Sequence, residues 1–155
     1  MPKSFGPIAD EQSRILILGT MPSVESRKAR FYYAHPRNRF WRVIADSFGQ
    51  PLPQSVEEKT RLLLANRIAL WDVLDSCEIS GSDDSSIREP IYNGIEALIS
   101  GKPIEKILCN GTKAYKLCLK SELPVPVLCM PSTSPANAAW SIERLAAVWR
   151  PALTI

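Results

Sequence analysis

The chain has 155 residues, 45% of them hydrophobic, and a formal net charge of +3 at pH 7. Length and hydrophobic content predict one domain, residues 1–155, with a sizeable core, and so mild a charge does not by itself announce a polyanionic partner. No stretch approaches the roughly 18 apolar residues of a membrane span, and the N-terminus MPKSFGPIADEQS lacks the apolar segment of a signal peptide. The expectation is a soluble monomer of the bacterial cytoplasm that makes no use of a membrane.

Residues 1–13 are polar and read as a loosely held arm. Arg14 to Gly19 is a short apolar run, the first strand, and it feeds a long loop. Between Glu25 and Arg42 that loop carries Arg27, Lys28, Arg30, Arg37, Arg39 and Arg42 against one acid, interleaved with Phe31, Tyr32, Tyr33, Phe40 and Trp41. Clustered positive charge suits a phosphate backbone, and flat rings suit an unstacked base. Phe40 to Phe48 has helical spacing at Trp41, Ile44, Ala45 and Phe48, stopped by Gly49 and by Pro51 and Pro53. Ser55-Val-Glu-Glu58 is a capping box that opens a helix through Asn66.

Ile68 to Leu74 reads as the second strand, followed by a turn-rich loop from Asp75 to Pro90 that is long enough to suggest function. Asn93 to Ser100 reads as a short helix and Ile104 to Cys109 as a strand. Asn110-Gly111-Thr112 turns that strand into a helix through Lys120. Val125 to Met130 is a fourth strand. From Pro131-Ser-Thr-Ser-Pro135 a helix is expected to run to about Arg150, with Ser134 as cap and Ala138, Ile142, Leu145 and Trp149 on one face.

Strand and helix alternate, which predicts an α/β three-layer sandwich around a four-stranded, mostly parallel sheet. In such sheets the ligand site lies beyond the carboxyl ends of the strands. Four loops converge there: Thr20 to Asn38, Asp72 onward, Asn110-Gly111, and Pro131 to Asn137. Cys77, Cys109, Cys118 and Cys129 form no Cys-x-x-Cys pair, and the single histidine, His35, is remote from them. They read as reduced core thiols, with no metal and no cofactor expected.

Gly19-Thr20-Met21-Pro22-Ser23, Tyr33-Ala-His-Pro-Arg-Asn38-Arg-Phe-Trp41, Trp71-Asp-Val-Leu74, Asn110-Gly111 and Pro131-Ser-Thr-Ser-Pro-Ala-Asn137 together resemble the uracil-DNA glycosylase superfamily. Within it they most resemble the hypoxanthine-DNA (deoxyinosine) glycosylase branch. The resemblance spans nearly the whole chain, and the YYAHPRN-x-FW stretch is its most specific piece.

It implies a monofunctional enzyme whose partner is double-stranded DNA containing a deaminated base. Such an enzyme flips out that base, hypoxanthine by preference with uracil or xanthine as further substrates, and hydrolyses its N-glycosidic bond. Two departures stand out: Met21 occupies the place where uracil-specific members carry a water-orienting Asp or Asn, and Met130 the place of a His. The resemblance points to Asn38 as the catalytic amide. It also places Asp72 where relatives carry a base-reading Asn, as a base reader or general base.

The base would meet Gly19, Thr20, Met21, Tyr33, Phe40 and Asn110. Ser23, Arg37, Arg39, Ser132, Ser134 and Asn137 would meet DNA, with Pro135, Ala136 and Asn137 lying where relatives place a minor-groove wedge. Each residue also has a plainer role. Asn38 could cap the helix that starts at Arg39; Asp72 could cap or pair with a loop arginine; Tyr32, Tyr33, Phe40 and Trp41 could be core, with Tyr33 the ring that faces the base. His35 would shape its loop. Two competing classes are a serine hydrolase using Ser132 or Ser134, which lacks the Gly-x-Ser-x-Gly elbow, and a non-catalytic flavodoxin-like nucleotide- or DNA-binding module.

Overall fold

The structure is a computed structural model that describes residues 6–21, 31–34, 36–78 and 88–154, with 75–78 and 88–91 followed as backbone. In chain order its elements are β1 (Ile15–Gly19), α1 (Phe40–Ser47), α2 (Val56–Ala65), β2 (Ile68–Asp72), β3 (Leu74–Glu78), β4 (Arg88–Tyr92), α3 (Ile95–Ile99), β5 (Lys106–Asn110), α4 (Thr112–Cys118), β6 (Val127–Met130) and α5 (Ile142–Ala152).

The apolar runs read from the sequence form one four-stranded sheet in the order β2-β1-β5-β6, parallel throughout. Every residue of β1 is buried, as a strand covered on both faces requires. Because side chains alternate across a strand, Ile15 and Ile17 join Phe40, Trp41, Ile44, Leu63, Leu145 and Trp149 on one face. Leu16 and Leu18 join Ile95, Ile107, Ala114 and Leu117 on the other. Helices α1, α2 and α5 therefore make one outer layer and α3 and α4 the other, the expected three-layer sandwich.

Three local expectations change. The arm is docked from residue 6 onward: Ile8 and Leu70 exchange backbone hydrogen bonds of 2.9 Å each way, and the Tyr32 hydroxyl donates to the Gly6 carbonyl at 2.7 Å. That contact covers the otherwise open edge of β2.

The run Ile68–Leu74 is broken at Val73, whose N–H donates to the Gly19 carbonyl at 2.7 Å. The chain then leaves the sheet and enters an antiparallel hairpin, β3 with β4, where a long loop was expected; residues 79–87 lie outside the described residues. Irregular register shifts within this pair leave no clean alternation to read.

The last helix begins at Ile142 rather than Pro135. Its cap is Ser141, whose hydroxyl accepts from Arg144 N–H at 3.1 Å, and residues 134–140 form turns in front of it. This assignment predicts that Ser141→Ala lowers unfolding free energy by about 1 kcal/mol. Ser134→Ala, which removes no helix cap, should change it by less than about 0.5 kcal/mol. Denaturant titration of both variants checks the contrast.

Candidate active site

The sheet register aligns the carboxyl ends of its strands: Gly19 lies opposite Asp72 and Asn110 opposite Met130. Gly19 has no side chain for a physical reason. A Cβ there would fall 2.8 Å from Asp72 Oδ1 and 2.8 Å from the Tyr33 hydroxyl. The close approach of those two groups depends on that missing methyl.

Asp72 is 3% exposed, and its Oδ2 has no hydrogen-bond partner among the described residues. Burial raises its pKa from 3.8 to about 8, since a desolvated carboxylate is disfavoured. Burial therefore favours the neutral acid, which has a donor and an acceptor, the pairing capacity of an amide.

Tyr33 adopts φ 51°, a left-handed conformation that costs a bulky residue free energy and concentrates at functional sites. Its ring stacks on Phe40, centroids 4.1 Å apart and 22° from parallel. Its hydroxyl is buried without a hydrogen bond in good geometry. Burial first and then the Asp72 charge push that hydroxyl well above the usual tyrosine range, while the nearby Asn110 amide works the other way. Two unsatisfied buried polar groups side by side form a place prepared for a polar ligand.

Phe40, by contrast, is fully buried, with Trp41 and Trp149 packed edge-on against it. It supports Tyr33 from beneath instead of meeting a base directly. Tyr32 and Trp41 are core as well.

A second cluster is joined to the first through Asn110. The Thr133 N–H donates to Asn110 Oδ1 at 3.0 Å, and Asn110 Nδ2 donates to Thr133 Oγ1 at 3.0 Å. Thr133 Oγ1 in turn donates to Asn38 Oδ1 at 2.9 Å, which also accepts from Phe40 N–H at 2.9 Å. Asn38 thus meets the start of α1 as a capping residue would and also belongs to the site. Thr133, 1% exposed, was not among the residues expected to matter. Its only sequence signal was its place in the Pro131 to Asn137 loop.

The remaining expected contacts divide. Arg39 does not face outward: its guanidinium donates to the carbonyls of Thr133, Ser134, Asn137 and Trp140. A guanidinium so engaged braces the 133–140 turns and has little capacity left for phosphate. Asn137 is a brace too, its Nδ2 donating to the Ser132 carbonyl at 3.0 Å. Ser132 Oγ accepts from Ser134 N–H at 3.1 Å, and Ser134 Oγ from Ala136 N–H at 3.2 Å.

Gly111, at φ 99°, lets this loop come close, since a Cβ there would lie 3.3 Å from Ser132 Cβ. Gly111, Ser132, Ser134, Ala136, Asn137 and Trp140 line an open cleft of about 580 Å³. Arg37 is exposed at the same end. Thr20 is buried, and its carbonyl accepts from Leu74 N–H at 3.2 Å. Met21 is half-buried, and Met130 is buried. Ser23, His35 and the cations Arg27, Lys28 and Arg30 lie outside the described residues. Of the thiols, Cys109 and Cys118 are buried, but Cys129 is exposed on the sheet edge, not in the core.

The family model of the uracil DNA glycosylase superfamily matches residues 5–152. The chain belongs to the uracil DNA glycosylase superfamily. A hypoxanthine DNA glycosylase of Methanosarcina acetivorans is 36% identical over 146 residues, covering 92% of both chains. One from Methanosarcina barkeri is 36% identical over 115 residues, or 72% of each. A solution NMR structure from Methanosarcina acetivorans, assigned to the uracil DNA glycosylases, superposes with TM-score 0.81 at 35% identity, covering 96% of both chains. The enzyme class that membership carries is a monofunctional DNA glycosylase.

Two stability effects follow. Because folding raises the Asp72 pKa, the folded state binds more protons than the unfolded state between about pH 4 and pH 8. Stability contributed by this group is therefore present below pH 4 and lost as pH rises toward 8. Asp72→Asn should flatten that part of the pH–stability curve and raise the melting temperature at pH 8. Arg39→Ala should destabilise by roughly 1–3 kcal/mol, through the carbonyls it leaves without a donor.

Proposed function

We propose that the enzyme excises hypoxanthine from DNA and acts on uracil and xanthine as secondary substrates. The observation that carries this reading is the buried Asp72 beside Gly19 and Tyr33, its Oδ2 without a hydrogen-bond partner among the described residues. All three bases present a lactam edge, a ring N–H beside a carbonyl. A protonated carboxyl offers the complementary acceptor and donor at once, as the amide of a base-reading Asn does. The names of the two Methanosarcina relatives support the same preference.

In this reading the flipped base lies against Tyr33, with its lactam edge on Asp72. Flipping costs a few kcal/mol and is cheapest for a weakly paired base, which favours a deaminated one. The N-glycosidic bond then breaks with its electron pair leaving on the base, and the sugar becomes oxocarbenium-like. Met21 and Met130 have no group able to take a proton from water. Rate acceleration therefore rests on stabilising the departing base, where the Asn38 amide acts. Water captures C1′ and releases a proton, leaving an abasic site. Arg37 and the 132–137 loop hold the phosphates on either side.

Single-turnover cleavage of end-labelled duplexes containing one hypoxanthine, uracil or xanthine tests the reading, alkaline scission marking abasic sites. Hypoxanthine should be cleaved fastest; an absence of cleavage with duplex still bound would instead favour a binding module. For the wild type, kcat/KM should be level below about pH 8 and fall above it as Asp72 ionises. Asp72→Asn should keep much of the activity and lose that alkaline fall, whereas a rate that rises through pH 8 would make the carboxylate a general base. Arg37→Ala should lower the salt slope of duplex binding by about one, and Arg39→Ala should change stability more than slope.

A further inference from the structure

We infer that Thr133 is a positioning residue that makes Asn38 a hydrogen-bond donor toward the departing base. The inference deepens the glycosylase reading and rests on it. It begins from two donors whose identity is not open to choice, because backbone N–H groups can only donate.

Phe40 N–H points at one oxygen of the Asn38 amide, which must be Oδ1. Thr133 N–H likewise identifies Asn110 Oδ1. Asn110 therefore presents its NH₂ to the Thr133 hydroxyl. A hydroxyl that accepts from Asn110 sends its own hydrogen to Asn38 Oδ1. The chain of bonds has one polarity, Asn110 to Thr133 to Asn38.

Both acceptor sites of Asn38 Oδ1 are thereby filled. Asn38 is half-buried, and its side-chain bonds among the described residues all fall on Oδ1, so the remaining capacity of the side chain is donation from Nδ2 alone. It cannot accept a proton from attacking water. It can stabilise negative charge as that charge develops on the base, and polarisation along the chain strengthens the donation. Arg39, bound to the Thr133 and Ser134 carbonyls, holds the middle member in place.

The test uses single-turnover rates at saturating enzyme on a hypoxanthine duplex, with duplex Kd and melting temperature measured alongside. Thr133→Val keeps the shape and removes the hydroxyl, and should slow cleavage by about tenfold or more with Kd within about threefold. Thr133→Ser should restore the rate to within about threefold of wild type. The valine deficit should also shrink at acid pH, where N7 protonation of hypoxanthine lets the base leave without a donated hydrogen bond. A purely packing role for Thr133 would not produce that pH dependence.

Asn38→Asp preserves both bonds at Oδ1 while exchanging the outward NH₂ for an acceptor, and should be as slow as Asn38→Ala. An Asn38→Asp enzyme much faster than Asn38→Ala would overturn the donor assignment. A Thr133→Val enzyme that cleaves like wild type would overturn the positioning role while leaving the glycosylase reading intact. Loss of cleavage in the wild type itself would instead remove the reading on which the inference rests.

Discussion

The site depends on one guanidinium. Arg39 stands at the first turn of α1 and holds four carbonyls of the 133–140 segment, nearly 100 residues later in the chain. An extended cationic fork can satisfy several carbonyls that point inward from successive turns, which a neutral side chain of that size cannot. This clamp supports the place of Thr133, and through it the orientation of Asn38. It also accounts for the delayed start of α5, because the carbonyls of Ser134 and Asn137 serve the arginine.

A second constraint acts at the ends of β1 and β2. The inner strands of the parallel sheet are buried on both faces, so their polar side chains can reach a ligand only where the strands stop. At that boundary Gly19 leaves room for an acid and a phenol to crowd together, and desolvation keeps the acid neutral. An uncharged Asp72 has the hydrogen-bonding capacity of an amide, in buried surroundings with no described cation to hold a carboxylate. The same desolvation costs stability above acid pH.

The two clusters share Asn110. Its amide is fixed by Thr133 on one side and lies close to the Tyr33 hydroxyl on the other. In the proposed mechanism, base recognition and bond cleavage are thus both supported from one residue at the end of β5. Such a shared support ties the orientation of the flipped base to the orientation of the group that helps it leave.

Much was determined by the sequence alone. Apolar runs of strand length, alternating with amphipathic helical spacing, were enough for the four parallel strands, their two helical layers and the edge where their loops converge. Those features depend on periodicity, which is local. The motifs around Gly19, Tyr33–Trp41, Trp71–Leu74, Asn110 and Pro131–Asn137 marked the family and placed Asn38, Asp72, Tyr33 and Asn110 near that edge.

The tertiary structure decided what is set by neighbours distant along the chain. Arg39 reads as one more cation in a basic loop until its carbonyl partners, 94–101 residues away, are known. Thr133 reads as a turn residue until it lies between two amides. The β3–β4 hairpin and the docking of Ile8 on Leu70 are pairings between separate segments, with no periodic signature to announce them. The protonation of Asp72 follows from burial with no described cation beside it, a condition that only the folded chain creates.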